Sequence, residues 1–323
     1  MSWSYKFVAT VEINYQYFLN ATVRAAIAAA RSRGKGDNEA SDAVAVNEMR
    51  SYLNGLHFKT KVVIGEGLRD NAPMLFRGEV LGDKKGEQCF DIAVDPLECT
   101  DCCANNKDGA ISVIAISNTG GLLEADDIYM YKIVYAVSNK AISDRINADT
   151  PLEDILSSIA NDKGKKISEL CVCVLNRKRH YSIIKLLREM NVTVSLIDDG
   201  DIIASIMAVM PSFNIDMYIG VGGAPEGVIA SVAVRGLGGM MHAKMLYGVS
   251  SDTEVNKEML TQYQNMEIAD LSKSENAILV ATGITNSALM KGVAFEGEYV
   301  TTESIVIDIA RAGMMKIQDR FKM

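Results

Sequence analysis

The chain has 323 residues, 48% of them hydrophobic and 23% charged. That is enough to bury a large core in one big domain or two ordinary ones, which excludes a disordered chain. The net charge of −8 at pH 7 argues against a nucleic-acid partner or an anionic membrane, since both need a concentrated basic face. To bind an anion, such a protein must gather positive charge locally, from arginine, lysine or a bound metal ion.

The opening stretch MSWSYKFVATVEINYQYF holds only short apolar runs broken by Lys6 and Glu12. It lacks the apolar block of a secretion signal, so a cytoplasmic protein is expected. Residues 20–33 are Ala-rich, and residues 42–55 place Val46, Met49 and Leu53 at helical spacing; both read as helices. Short runs rich in β-branched residues, each stopping near Gly, Asp or Pro, then read as strands: KVVIGEG, FDIAVDP, AISVIAIS and MYKIVYAV. The polar stretch 143–169 is the best boundary between lobes, giving an N-terminal lobe over 1–145 and a C-terminal one over 146–323. Beyond it, strands LCVCVL, VTVSLIDDGD, IDMYIGVGG, AILVATG and SIVIDI are interspersed with helical patterns at 183–190, 202–210 and 226–237. Residues 251–275 read as a solvated helix or connection. The longest uncharged apolar run, Ile202 to Met210, falls far short of the ~20 residues of a membrane span. This layering predicts a mixed α/β fold.

Ligands dock at strand ends in such folds, so acids placed there carry weight. VVIGEG delivers Glu66, with Asp70 a turn later; DIAVDPLECT delivers Asp91, Asp95, Glu98 and Thr100; SLIDDGD delivers Asp198, Asp199 and Asp201; and YIGVGGAPEG delivers Glu226 at the mouth of a helix. Asp42 precedes the Val46, Met49, Leu53 stripe and either needs a cation near the core or caps its helix. Singly, these acids read as turn residues. Brought together they would repel one another unless a hard divalent cation lay between them, and oxygen ligands with only three histidines in the chain suit Mg²⁺ or Mn²⁺ rather than zinc.

Six cysteines in a chain of this length, with a reducing compartment expected, read as free thiols. Cys99-x-x-Cys102 with Cys103, and Cys171-x-Cys173, do not make the paired pattern of structural zinc. Packing is the expected role, with a redox CxxC after a strand as the alternative. GVGGAPEG follows a strand and opens a helix, which suits either an anion cradle or tight helix packing; it is neither G-x-G-x-x-G nor a P-loop. LNRKRH concentrates positive charge after another strand. It is either a solvated turn or a source of phosphate donors, Arg177 and Arg179.

Taken in order, GKGDNEASD, VVIGEGLRDNAPML, DIAVDPLECT, LNRKRH, IDDGD, GVGGAPEGVIASVAVRGLGG and ATGIT resemble the motifs of class II fructose-1,6-bisphosphatases, from about residue 34 to the C-terminus. The resemblance implies a sugar-phosphatase fold with two lobes and layered αβαβα architecture, related to inositol monophosphatases. It also implies Mg²⁺- or Mn²⁺-dependent removal of the 1-phosphate of fructose 1,6-bisphosphate in gluconeogenesis, with sedoheptulose 1,7-bisphosphate as a further substrate of some members. Carried over residue by residue, it assigns metal binding to Asp42, Glu66, Asp95, Glu98 and Glu226. It gives catalytic roles to Thr100, Asp70 and Asp95. Substrate contacts fall to Glu98, Thr100, Tyr129, Arg177, Arg179, Asp199, Asp201 and the backbone at Gly223. A small sugar bisphosphate is the expected partner, and a homo-oligomer, dimer or tetramer, the expected assembly. Three departures stand out: Cys99 where the pattern has glycine between acid and threonine, a bulky DCCANNKDGA after it, and LGGMM in place of LGGDM. A position needing φ > 0 would cost a cysteine roughly 1–2 kcal/mol. An alternative is a sugar-phosphate-binding protein that has lost turnover through Cys99.

Overall fold

The computed structural model describes residues 12–66 and 74–323. In chain order the helices are α1 (Tyr15–Ser32), α2 (Asn38–Asn54), α3 (Thr100–Ala104), α4 (Lys140–Ser143), α5 (Leu152–Lys163), α6 (Tyr181–Glu189), α7 (Asp201–Val209), α8 (Ala224–Gly236), α9 (Lys257–Leu260) and α10 (Ile268–Leu271). The strands are β1 (Lys59–Ile64), β2 (Val80–Gly82), β3 (Cys89–Glu98), β4 (Ile111–Asn118), β5 (Tyr129–Tyr135), β6 (Cys171–Leu175), β7 (Thr193–Ile197), β8 (Met217–Gly223), β9 (Met240–Leu246), β10 (Met266–Glu267), β11 (Ala277–Gly283), β12 (Ala294–Glu296), β13 (Tyr299–Asp308) and β14 (Gly313–Lys322).

The strands form two sheets. One has the order β12-β13-β11-β4-β3-β1-β2, with β14 paired to β13; the other has the order β10-β9-β5-β8-β6-β7. Three apolar clusters separate the layers. Phe18, Ala25 and Met49 of α1 and α2 meet Ile92, Val94 and Ile114 on one face of the first sheet. Ala93, Val113 and Ala115 on its other face meet Ile206 of α7 and Val228 and Val232 of α8, which also pack on Met130, Val134 and Tyr218 of the second sheet. Ile133, Val172 and Ile219 on the far face of that sheet meet Ile155 and Ile159 of α5 and Leu187 of α6. The result is the expected α/β fold with αβαβα layering. Side chains alternate across a strand, which explains why Ile92 and Val94 face α1 and α2 while Ala93 and Asp95 face the middle layer.

A single division near residue 145 does not follow the sheets: β5 already belongs to the second sheet, and residues 277–322 return to the first. The polar stretch 143–169, expected as the boundary between lobes, is itself structured. It contains α5, which buries Ile155, Leu156, Ile159 and Ala160 behind its charged face and ends on Gly164 in the left-handed region. Among the described residues, no helix is long and apolar enough to cross a membrane.

Candidate active site

The site begins with an irregularity in β3. Asp95 stands opposite Val113 and Glu98 opposite Ile111, so three steps along β3 match two along β4. In a regular strand, residues three apart point to opposite faces. The extra residue re-aims the strand end, as bulges do, and brings the Asp95 and Glu98 carboxylates together. Pro96 has no N–H to lose from the ladder, and the Leu97 N–H is taken by Asp95 Oδ1 at 3.1 Å.

The third carboxylate arrives from the middle layer. Glu226 lies in the first turn of α8, after Gly223 as N-cap and with Pro225 in the first turn, a position where the helix dipole favours an acid. A Cβ at Gly223 would stand 1.8 Å from Glu226 Oε2, so a side chain there would displace the Glu226 carboxylate. Asp95, Glu98 and Glu226 each offer an oxygen within 4.8 Å of the others. Burial pushes Asp95 up to about 6 and Glu226 up to about 7, and lifts Glu98 well above the usual carboxylate range; neighbouring carboxylates add to each shift. Glu226 Oε2 is buried and has no hydrogen-bond partner. A cation fits this donor set: it would supply the missing partner and remove the repulsion.

The other expected residues divide. Thr100 opens α3 directly after Glu98 and Cys99, and its hydroxyl donates to the Leu97 carbonyl at 3.1 Å. Asp42 and Glu66 are half-buried and stand outside the grouping of three. Asp42 is not the cap of α2, because Asp37 fills that role by accepting from the Ala40 N–H at 2.9 Å. The α1–α2 loop docks on α3 through Gly34 N–H to Cys103 O and Gly36 N–H to Ala104 O, which brings the start of α2 beside the turn carrying Thr100. β1 runs parallel to β3 with Ile64 opposite Ala93, so continuing that register two residues puts Glu66 level with Asp95. Asp70 lies outside the described residues.

Arg177 and Asp199 both line a cleft of about 610 Å³, together with Asp101, Cys102, Lys107 and Gly200. Arg179 is buried, stacks on the Tyr129 ring at 4.9 Å and donates from Nε to the Val221 carbonyl at 2.9 Å, so part of its fork is already engaged. Asp201 is also buried, and its carboxylate is ion-paired with Lys132. Lys132 is a buried cation beside the site that sequence reasoning missed. Its Nζ also donates to Gly223 O at 3.0 Å, tying β5 to the N-termini of α7 and α8 where Glu226 is held. The signal was a lone lysine in the apolar run MYKIVYAV, since a charge on a buried strand needs a partner. The free-thiol expectation is overturned at two positions: Cys99 and Cys102 are joined by a disulfide. Cys89, Cys103, Cys171 and Cys173 are free.

A family model described as bacterial fructose-1,6-bisphosphatase, glpX-encoded, matches residues 14–321. The chain belongs to this family. The match begins some twenty residues earlier than the motifs alone suggested. Among family relatives, a class 2 fructose-1,6-bisphosphatase of Haemophilus influenzae is 39% identical over 315 residues, covering 93% of each chain. Fructose-1,6-bisphosphatase 1 class 2 of Escherichia coli K12 is 37% identical over 304 residues, covering 90% of this chain and 89% of its own. A protein named D-fructose 1,6-bisphosphatase class 2/sedoheptulose 1,7-bisphosphatase from a Synechococcus strain is 40% identical over 309 residues, covering 88% of each.

Proposed function

We propose that the chain is a divalent-cation-dependent phosphatase that removes the 1-phosphate of fructose 1,6-bisphosphate, giving fructose 6-phosphate and inorganic phosphate as in gluconeogenesis. The observation that carries this reading is the convergence of Asp95, Glu98 and Glu226, with one buried oxygen lacking a partner, in a chain that matches its family over residues 14–321. Sedoheptulose 1,7-bisphosphate is a reasonable second substrate, because relatives about as similar carry both names. Mg²⁺ or Mn²⁺ is the cation we assign, held by Asp95, Glu98 and Glu226, with Asp42 and Glu66 completing a second position. A bound cation supplies positive charge to the phosphoryl oxygens and acidifies a water.

The chain's own residues orient the rest. The Thr100 hydroxyl, whose proton goes to Leu97 O, keeps lone pairs free to accept from an attacking water and so to aim it in line. Arg177 supplies a guanidinium in the cleft for the second phosphate, with Arg179 and Tyr129 behind it. Asp199 at the same cleft can accept from sugar hydroxyls. Asp201, engaged with Lys132, acts as a support for the Gly223 backbone. The binding-protein alternative is not favoured, because relatives matched over most of their length carry phosphatase names and Thr100 still opens α3. Phosphate release should require Mn²⁺ or Mg²⁺, and Asp95→Asn should lower it by at least ~100-fold while leaving the far-UV dichroism unchanged. Full activity of that variant would remove Asp95 from the cation shell.

A further inference from the structure

We propose that Cys99 and Cys102 are a redox-active pair that governs this site, their disulfide holding the Glu98–Thr100 turn in its working shape. The activity readout rests on the phosphatase reading above; the chemistry rests on geometry. The two residues are bonded with their Cα atoms 5.3 Å apart across the first turn of α3. Cys99 has φ 64° and ψ 55°, and its side chain makes no capping hydrogen bond. A side chain bearing Cβ is disfavoured in that left-handed region, so the conformation persists only where something over-determines it. The bond to Cys102 does so. Cys99 lies between Glu98, a member of the carboxylate group, and Thr100, so whatever fixes Cys99 fixes both.

Access is one-sided. Cys99 is 5% exposed, whereas Cys102 lines the 610 Å³ cleft. Cys103 is buried and donates its S–H to Ala29 O at 3.5 Å, away from the pair. A dithiol reductant therefore attacks Cys102 Sγ with one thiolate, breaking the Cys99–Cys102 bond, and Cys99 leaves as a thiolate that takes up a proton. The second thiol of the reductant then attacks the mixed disulfide, releasing Cys102 as a thiol and leaving as a cyclic disulfide. Two electrons and two protons pass to the pair. A cyclic disulfide reverses the sequence. Once reduced, only the Cys102 and Cys103 N–H bonds to the Cys99 carbonyl, at 2.9 and 3.3 Å, oppose the unfavourable φ at Cys99; the turn relaxes and moves Glu98 and Thr100 out of position.

The test equilibrates the full-length protein with reduced or oxidised dithiothreitol, desalts it, and maps thiols by alkylation and peptide mass spectrometry. Mn²⁺ binding is then measured by calorimetry, and phosphate release from fructose 1,6-bisphosphate by assay. The oxidised protein should carry the Cys99–Cys102 bond, bind Mn²⁺ more tightly and turn over on the order of tenfold faster than the reduced one. Cys102→Ser should show the slow rate in both buffers. Cys99→Gly, which accepts φ 64° freely, should show the fast rate in both. The proposal is overturned if both cysteines alkylate after oxidation, or if the reduced wild type binds Mn²⁺ and turns over as well as the oxidised form or better. If no state releases phosphate, the phosphatase reading fails, and the thiol map and the Mn²⁺ titration still decide whether the pair forms and controls the cation site.

Discussion

At the scale of single residues, Glu226 is the most informative side chain, because its buried Oε2 has no partner and its carboxyl is pushed up to about 7 by burial and nearby charge. Replacing it with glutamine keeps the shape and removes the charge. Glu226→Gln should therefore raise the melting temperature of the metal-free protein, by an amount equivalent to about 1–3 kcal/mol, and should abolish the further stabilisation that Mn²⁺ gives the wild type. A melting temperature that falls without metal and still climbs with Mn²⁺ would show that Glu226 is no ligand. The three carboxylates of the group could be read in the sequence because each follows a strand at Gly, Asp or Pro punctuation. The Lys132–Asp201 ion pair could not, since it joins residues 69 apart and only the fold brings them together. Cys99 misled in a different way: a thiol's partner is set by geometry, and CxxC alone does not say whether a bond closes.

At the scale of elements, the ends of β6 and β8 are joined by one imidazole. His180 is fully buried; its Nδ1 meets the Leu175 carbonyl at 2.8 Å, and its Nε2 accepts from the Val221 N–H at 2.7 Å. Those partners fix a neutral tautomer, and burial holds the ring down at about 4. His180→Ala should cost about 2–4 kcal/mol in urea unfolding, because it leaves a cavity and two backbone groups without partners. It should also weaken substrate binding through Arg179, which bonds the same Val221. A loss under ~0.5 kcal/mol would mean that the strand ends hold without it. The central strands were legible from β-branched runs. β9 was not, because MMHAKML has no β-branched residue and carries Lys244 in its interior, satisfied by Asp149 and by the Leu260 and Tyr263 carbonyls. α5 was hidden by its many polar positions, which mask four buried apolar ones.

At the scale of the whole molecule, the chain crosses between two sheets and back, and the site forms where the end of β3 meets the starts of α7 and α8 between them. Sequence reading supplied the layers but not the grouping of strands, which depends on pairing between distant segments such as β4 with β11. The same convergence sets a pH response. Asp95 and Glu226 have folded values of about 6 and about 7, above their unfolded ones. Their contribution to stability is thus full below about pH 4 and is lost as pH rises through about 6 to 7. His180 and His242, both lowered to about 4 by burial, act oppositely, with stability lost as pH falls from about 6.5 toward 4. The histidines contribute equally with and without metal, so they cancel in the difference. The gain in melting temperature on adding saturating Mn²⁺ should therefore grow from pH 5 to pH 8; a gain independent of pH would place the ion on other ligands. The most direct measurement is anomalous diffraction at the manganese edge from crystals grown with MnCl₂. A peak about 2.0–2.3 Å from oxygens of Asp95, Glu98 and Glu226 is predicted; an enzyme active with Mn²⁺ whose map shows no manganese between those three side chains would contradict the account.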